Sequence, residues 1–179
     1  MRKYILIGIP NCGKSTLGRR IADALRLPFY DTDLMALERL GIQNLLDQFR
    51  AAFNGSLMVA QQEAVRELAE LDSAAIIATG AEVALMPGCA TRLSRMGTII
   101  HIRRAPEIIL ADIASDSNQL ILVDKTTGTE EVMRKKAVKG YAQEISQYES
   151  LADLTLENDG SEDDGFEKLI ALIGQESQR

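Results

Sequence analysis

The sequence predicts an α/β fold with a parallel sheet covered by helices on both faces, and three observations carry that expectation. Short apolar runs of strand length alternate with longer stretches of helical spacing along the chain. A glycine-rich segment, Gly8 to Thr16, lies between the first such strand and the first helix. The 179 residues suffice for one sizeable core, and with 46% hydrophobic but only 4% aromatic residues that core must be filled mainly by Leu, Ile, Ala and Val.

Lys3 to Ile9 is a buried strand by its apolar run, which ends at glycine. Lys14 to Leu25 has helical spacing at Leu17, Ile21 and Leu25, and Leu27-Pro28 closes it. Phe29-Tyr30 is a brief strand that delivers Asp31, Thr32 and Asp33 to its end. Leu34 to Leu40 and Asn44 to Phe53 are short helices parted near Gly41, and Leu57 to Leu71 is a firmer one. Ala74 to Ala78 is a strand ended by Thr79-Gly80, followed by a turn at Pro87-Gly88, a helix from Ala90 to Met96 and a strand from Thr98 to Ile102. Glu107 to Ser115 is helical, Leu120 to Val123 is a short strand or a buried loop corner, and Glu130 to Ser150 is a long helix. Leu154 to Leu156 is the last strand, Asn158 to Asp164 a polar turn and Phe166 to Ile173 the final amphipathic helix. In such a sheet the ligand crevice lies beyond the carboxyl ends of the strands, which places Gly8–Thr16, Asp31/Asp33, Thr79/Gly80 and the segment after Ile102 on one rim.

Gly8-Ile9-Pro10-Asn11-Cys12-Gly13-Lys14-Ser15-Thr16 fits the phosphate-loop pattern G-x-x-x-x-G-K-[ST] in the required strand–loop–helix context. Gly8 and Gly13 let the backbone curl so that N–H groups, Asn11 and Cys12 among them, point at anionic oxygens. Lys14 brings an ammonium to the outer phosphates, Ser15 offers a hydroxyl to Mg2+, and Thr16 lies near the inner phosphates. The loop specifies a nucleotide site rather than a reaction.

Asp31 and Asp33 narrow the class. An extended i, i+2 pair directs both carboxylates to one side, one toward the Mg2+ shell and one toward an acceptor hydroxyl and its proton. Both are therefore expected in catalysis with Lys14, while Thr79, Gly80 and Ala81 are expected at the acceptor and Arg103 at the nucleotide.

The stretches Gly13-Lys14-Ser15-Thr16-Leu17-Gly18-Arg19, Leu25-Arg26-Leu27-Pro28-Phe29-Tyr30-Asp31-Thr32-Asp33, Ile76-Ile77-Ala78-Thr79-Gly80 and Tyr148-Glu149-Ser150-Leu151-Ala152-Asp153-Leu154-Thr155 together resemble shikimate kinase. The resemblance implies a three-layer P-loop NTPase fold, nucleoside-monophosphate-kinase-like, with a five-stranded parallel sheet. It implies one kinase domain over 1–179, an acceptor-binding helical region at about 34–62 and a lid at about 112–130. It further implies ATP as phosphoryl donor, Mg2+ held by Ser15 and Asp31, and Asp33 on the acceptor hydroxyls.

The sequence departs from that family at the acceptor end. Ala60 stands where the family has an arginine for the shikimate carboxylate, Glu82 follows Gly80-Ala81 where a third glycine is usual, and Glu144 aligns with a second carboxylate-binding arginine. The lid stretch Asn118-Gln119-Leu120-Ile121 lacks arginine, so Lys125 or the basic run Arg134–Lys139 would supply its charge. Shikimate kinase or a shikimate-kinase-like activity is the leading expectation. A kinase for a polyol, sugar or nucleoside-like acceptor and a catalytically weakened nucleotide-binding regulatory protein are the alternatives.

The net charge of −6 hides an asymmetry: residues 1–30 carry six basic groups against Asp23, and 141–179 carry ten acids against Lys168 and Arg179. Such a chain suits a small phosphate ligand and argues against nucleic acid as partner. The longest apolar runs fall short of a membrane span. Cys12 and Cys89 are expected as reduced thiols of a cytoplasmic protein, with a monomer plausible. His101, without companion ligands nearby, is expected to be structural or at the rim.

Overall fold

The computed structural model describes residues 2–115 and 130–176. Its strands are β1 (Lys3–Ile7), β2 (Phe29–Asp31), β3 (Ala75–Ala78), β4 (Gly97–Arg103) and β5 (Leu154–Glu157). The helices up to the third strand are α1 (Lys14–Leu25), α2 (Thr32–Arg39), α3 (Leu45–Phe53) and α4 (Ser56–Ala69). Those that follow are α5 (Ala81–Leu85), α6 (Pro87–Met96), α7 (Pro106–Ser115), α8 (Glu130–Leu151) and α9 (Glu162–Glu176). The five strands form one parallel sheet in the order β2-β3-β1-β4-β5. Among the described residues no helix is long and apolar enough to cross a membrane.

β1 sits at the centre of the sheet with every residue buried, as an apolar strand flanked on both sides requires. Even Lys3 is buried, because its ammonium donates to the Leu68 carbonyl at 3.0 Å and to that of Leu71, where α4 leaves carbonyls unpaired. The register sets Leu6 beside Ala78 and Ile7 beside His101, so the carboxyl ends of β1, β3 and β4 open at one level. From that edge the chain leaves β1 into the glycine-rich loop, β2 at Asp31 into Thr32, β3 into Thr79 and β4 into Arg104. α1 packs on β3 and α9, α8 and α6 pack on β4, and α4 joins α2 to α6.

Several boundaries differ from the sequence expectation for identifiable reasons. β1 stops at Ile7, because Gly8 at φ +145° turns the chain away from the sheet. α2 starts at Thr32, so Asp33 lies in a first helical turn and not in an extended pair with Asp31. The cause is Asp31 itself, whose Oδ1 caps the helix by accepting from the N–H groups of Asp33 at 3.0 Å and Leu34 at 3.4 Å. Pro87-Gly88 is no turn; Pro87 opens α6 at a position where a missing N–H costs nothing. α5 is too short for its periodicity to register. Leu120–Val123 lies outside the described residues, as do residues 116–129 of the lid expected at about 112–130.

Candidate active site

The glycine-rich loop is fixed from within and from below. The Lys14 ammonium donates to the carbonyls of Gly8 and Ile9, each at 2.9 Å, and lies 3.7 Å from Cys12 Sγ. A Cβ on Gly8 would stand 2.6 Å from the Ile102 carbonyl, and one on Gly13 would stand 2.6 Å from Asn158 Nδ2. Asn158 is buried; its side chain donates to the Cys12 carbonyl at 2.8 Å and its N–H to the Arg103 carbonyl at 2.7 Å. The loop is thus riveted to the ends of β4 and β5. Cys12 turns its side chain into the core, where its sulfur accepts from Lys14, and it does not line the cleft.

Above the loop lies a cleft of about 500 Å3. Asn11, Gly13, Lys14, Ser15 and Thr16 form its floor. Asp33, Thr79 and Ala81 face them, and Arg104 with Asp112 forms a third wall. The expected loop residues and Asp33, Thr79 and Ala81 therefore meet in one place. Gly8 and Gly80 support it from behind, Gly80 donating its N–H to the buried Thr32 hydroxyl at 2.8 Å.

Arg103 differs from its expected place at the nucleotide. Its guanidinium turns to Glu157 at 2.9 Å and Glu149 at 3.7 Å, away from the cleft. Strand alternation is the reason: neighbouring side chains leave a strand end on opposite sides, and Arg104 is the one that lines the cleft, paired with Asp112 at 2.7 Å.

Ser15 and Asp31 make a compact oxygen site, the hydroxyl donating to Asp31 Oδ2 at 2.6 Å. A hydroxyl beside a carboxylate is a hard donor set that fits Mg2+, which keeps several waters and takes phosphate oxygens as further ligands. Among the described residues no cluster of three or more His, Cys, Asp or Glu side chains competes as a protein-only metal cage.

Asp33 is half-buried, and Oδ1 of its carboxylate accepts a hydrogen bond from Gln61 Nε2. Burial, and then the like charge of Asp31, push its carboxyl above the usual range, opposed by the Gln61 hydrogen bond and by Lys14. Beyond it the Tyr148 hydroxyl donates to the Ala81 carbonyl at 2.8 Å, docking α8 on the start of α5. That contact sets Glu144, one turn before Tyr148, within electrostatic reach of Glu82. Burial and then Glu82 raise the Glu144 carboxyl, with Lys14 opposing. The Tyr148 phenol is pushed up by burial and then by the surrounding carboxylates, Glu144 foremost.

His101 lies under the loop, fully buried, with both ring nitrogens unpartnered and its ring 5.5 Å from that of Tyr148. Burial, followed by the nearby charges of Arg103 and Lys14, lowers its pKa to about 4, so the ring is neutral.

Gln61, Tyr148 and Asn158 did not stand out in the sequence as site residues. Gln61 had a usable signal, since it falls on the apolar stripe of α4 with Val65 and Leu68 and is buried there. Asn158 had none beyond its place after the last strand.

A family model for shikimate kinase matches residues 10–174. A shikimate kinase of Clostridium botulinum is 30% identical over 173 residues, covering 96% of both chains. One of Paracidovorax citrulli is 37% identical over 121 residues, covering 65% of this chain and 64% of the relative. Among solved structures, shikimate kinase from Acinetobacter baumannii in complex with shikimate superposes with a TM-score of 0.81 at 20% identity, covering 100% of this chain and 96% of that one. A gluconokinase from Sinorhizobium meliloti reaches 0.62 at 12% identity, covering 99% and 94%, and at that identity speaks for the fold alone. The phosphate loop, the paired aspartates at one strand edge and a family match spanning nearly the whole chain converge: the chain belongs to the shikimate kinase family of ATP-dependent small-molecule kinases.

Proposed function

We propose that this protein transfers the γ-phosphoryl group of ATP to a hydroxyl of shikimate or a closely similar small polyol. The observation that carries the reading is the division of labour between two carboxylates at one strand edge. Asp31 is engaged by Ser15, and Asp33 faces the cleft with raised proton affinity.

The loop amides and Lys14 hold the phosphates, while Arg104 offers the nucleotide a second cation from the opposite wall. Ser15 and Asp31 would hold Mg2+, which supplies charge neutralisation across the phosphates when bound. Asp33 orients the acceptor hydroxyl and takes its proton as the oxygen forms a bond to the γ-phosphorus; the bond to the bridging oxygen breaks and ADP leaves with that electron pair. Thr79 and Ala81 form the acceptor side of the cleft. The two cysteines, both free and buried, fit the reducing cytoplasmic setting expected for the chain. The test is ADP release with Mg·ATP in the presence and absence of shikimate, with product mass confirming one added phosphate; no acceptor-dependent ADP would overturn the shikimate assignment.

The juxtaposition of Glu82 and Glu144 favours a second reading, an acceptor without a carboxylate. Two acids within electrostatic reach of each other beyond Ala81 repel an anionic substituent, and a neutral polyol avoids that cost. Myo-inositol, a neutral polyol, run beside shikimate separates the two readings.

A further inference from the structure

Three elements converge on the Asp33 carboxylate. α2 carries it, α4 supplies Gln61, and the entry to α5 supplies Gly80. The Gln61 side-chain amide donates to Asp33 Oδ1 although Gln61 sits on the buried face of its helix, 9% exposed. Gly80 closes the third side: a Cβ there would collide with both Asp33 Oδ1 and Gln61 Nε2, so the pair occupies the space that glycine leaves open. The buried Thr32 hydroxyl accepts the Gly80 N–H at 2.8 Å and keeps that backbone in place.

We propose that Gln61 is a positioning residue for phosphoryl transfer: by holding Oδ1 it leaves Oδ2 of Asp33 directed at the acceptor hydroxyl. The inference rests on the reading of Asp33 given under the proposed function. A carboxylate on a short side chain turns about two bonds, and a misplacement of about 1 Å in a reacting group costs on the order of 100-fold in rate. A neutral amide suits the task, because it orients the carboxylate without the ion pair that a Lys or Arg would form, and so leaves it free to accept a proton. Gln61 is itself enclosed, with Ala60 and Ala64 buried beside it on a helix that packs closely on α2.

The experiment compares wild type with Gln61→Ala, Gln61→Glu and Gln61→His, using shikimate as acceptor probe. Gln61→Ala lowers kcat about 10- to 100-fold with the KM for Mg·ATP unchanged within about twofold. Gln61→Glu, which keeps the shape but faces Asp33 with a second carboxylate, falls further, and Gln61→His, which keeps an N–H donor at similar reach, recovers most of the rate. Thermal unfolding of each variant separates these effects from loss of fold. Wild-type kcat in both the Ala and the Glu variants would overturn the proposal. A second measurement needs no acceptor: the Gln61 side-chain amide resonances of the full-length protein, compared with those of Asp33→Ala. Slowly exchanging amide protons that lose their protection in Asp33→Ala sustain the pair, whereas identical behaviour in both proteins overturns it. Failure of shikimate turnover in wild type with the amide signature intact counts against the acceptor assignment and leaves the Gln61 inference standing on the second measurement.

Discussion

Ser15 Oγ donates to Asp31 Oδ2 at 2.6 Å, while Oδ1 of the same carboxylate accepts from the N–H groups of Asp33 and Leu34. One side chain thus ties the first turn of α1 to the start of α2 and joins the phosphate end of the cleft to its acceptor end. Its two duties can be separated. Asparagine caps a helix about as well as aspartate, so Asp31→Asn keeps stability within about 0.5 kcal/mol, whereas Asp31→Ala loses about 1 kcal/mol or more. Both variants lose the charge beside Ser15 and drop acceptor-dependent ADP release by about 100-fold. Urea unfolding and the coupled assay, run on both variants, check the two halves of this expectation.

Gly80→Ala isolates the geometry around Asp33. Gly80 has φ −59° and ψ 145°, a backbone any residue adopts, so no backbone strain is introduced. The added methyl meets Asp33 and Gln61 instead. Acceptor-dependent ADP release falls about tenfold or more while nucleotide affinity by calorimetry stays within about twofold. A parallel loss of nucleotide binding would place the effect in the phosphate loop and contradict the account.

On the proposed function, Glu82 and Glu144 set the charge at the acceptor end. Replacing both with neutral residues, Glu82→Ala with Glu144→Gln, raises kcat/KM for a carboxylate-bearing acceptor such as shikimate about fivefold for each charge removed and leaves a neutral polyol almost unaffected. Equal responses from the two acceptor types would remove these residues from the acceptor site.

His101 predicts an acid-side loss of stability. With its folded pKa lowered to about 4 against an ordinary 6.5, the unfolded chain binds the extra proton throughout that interval. Its contribution is therefore present above pH 6.5, falls as pH drops toward 4 and changes no further below it. Between about pH 7.5 and pH 5 the loss is about 2 kcal/mol. Chemical unfolding at the two pH values measures it, and His101→Leu reduces the difference by that amount; an unchanged difference would locate the acid sensitivity elsewhere.

The frame of the fold was legible because its signals are local. β1 is a continuous apolar run, α1 repeats Leu17 and Ile21 at helical spacing after a glycine–lysine–serine turn, and the later strands follow the same pattern. What escaped depended on a helix cap at a strand end, on the exit angle of a strand and on contacts between distant segments. Asp31 ends its strand and caps α2, which converted the expected extended pair into a strand end and a helix start. Arg103 and Arg104 are adjacent and chemically alike, and only the exit angle of β4 decides which one enters the cleft. Gln61 and Asn158 act on residues 28 and 146 positions away, beyond the reach of any periodicity.

On the proposed function, Asp33 directs an acceptor hydroxyl at ATP held on Gly8–Thr16. The most direct test measures ADP release from Mg·ATP with and without millimolar shikimate, in wild type and in Asp33→Ala. Wild type gives strong shikimate-dependent ADP release, which falls by about 100-fold or more in Asp33→Ala with nucleotide binding retained. Undiminished shikimate-dependent turnover in Asp33→Ala would contradict that role of Asp33.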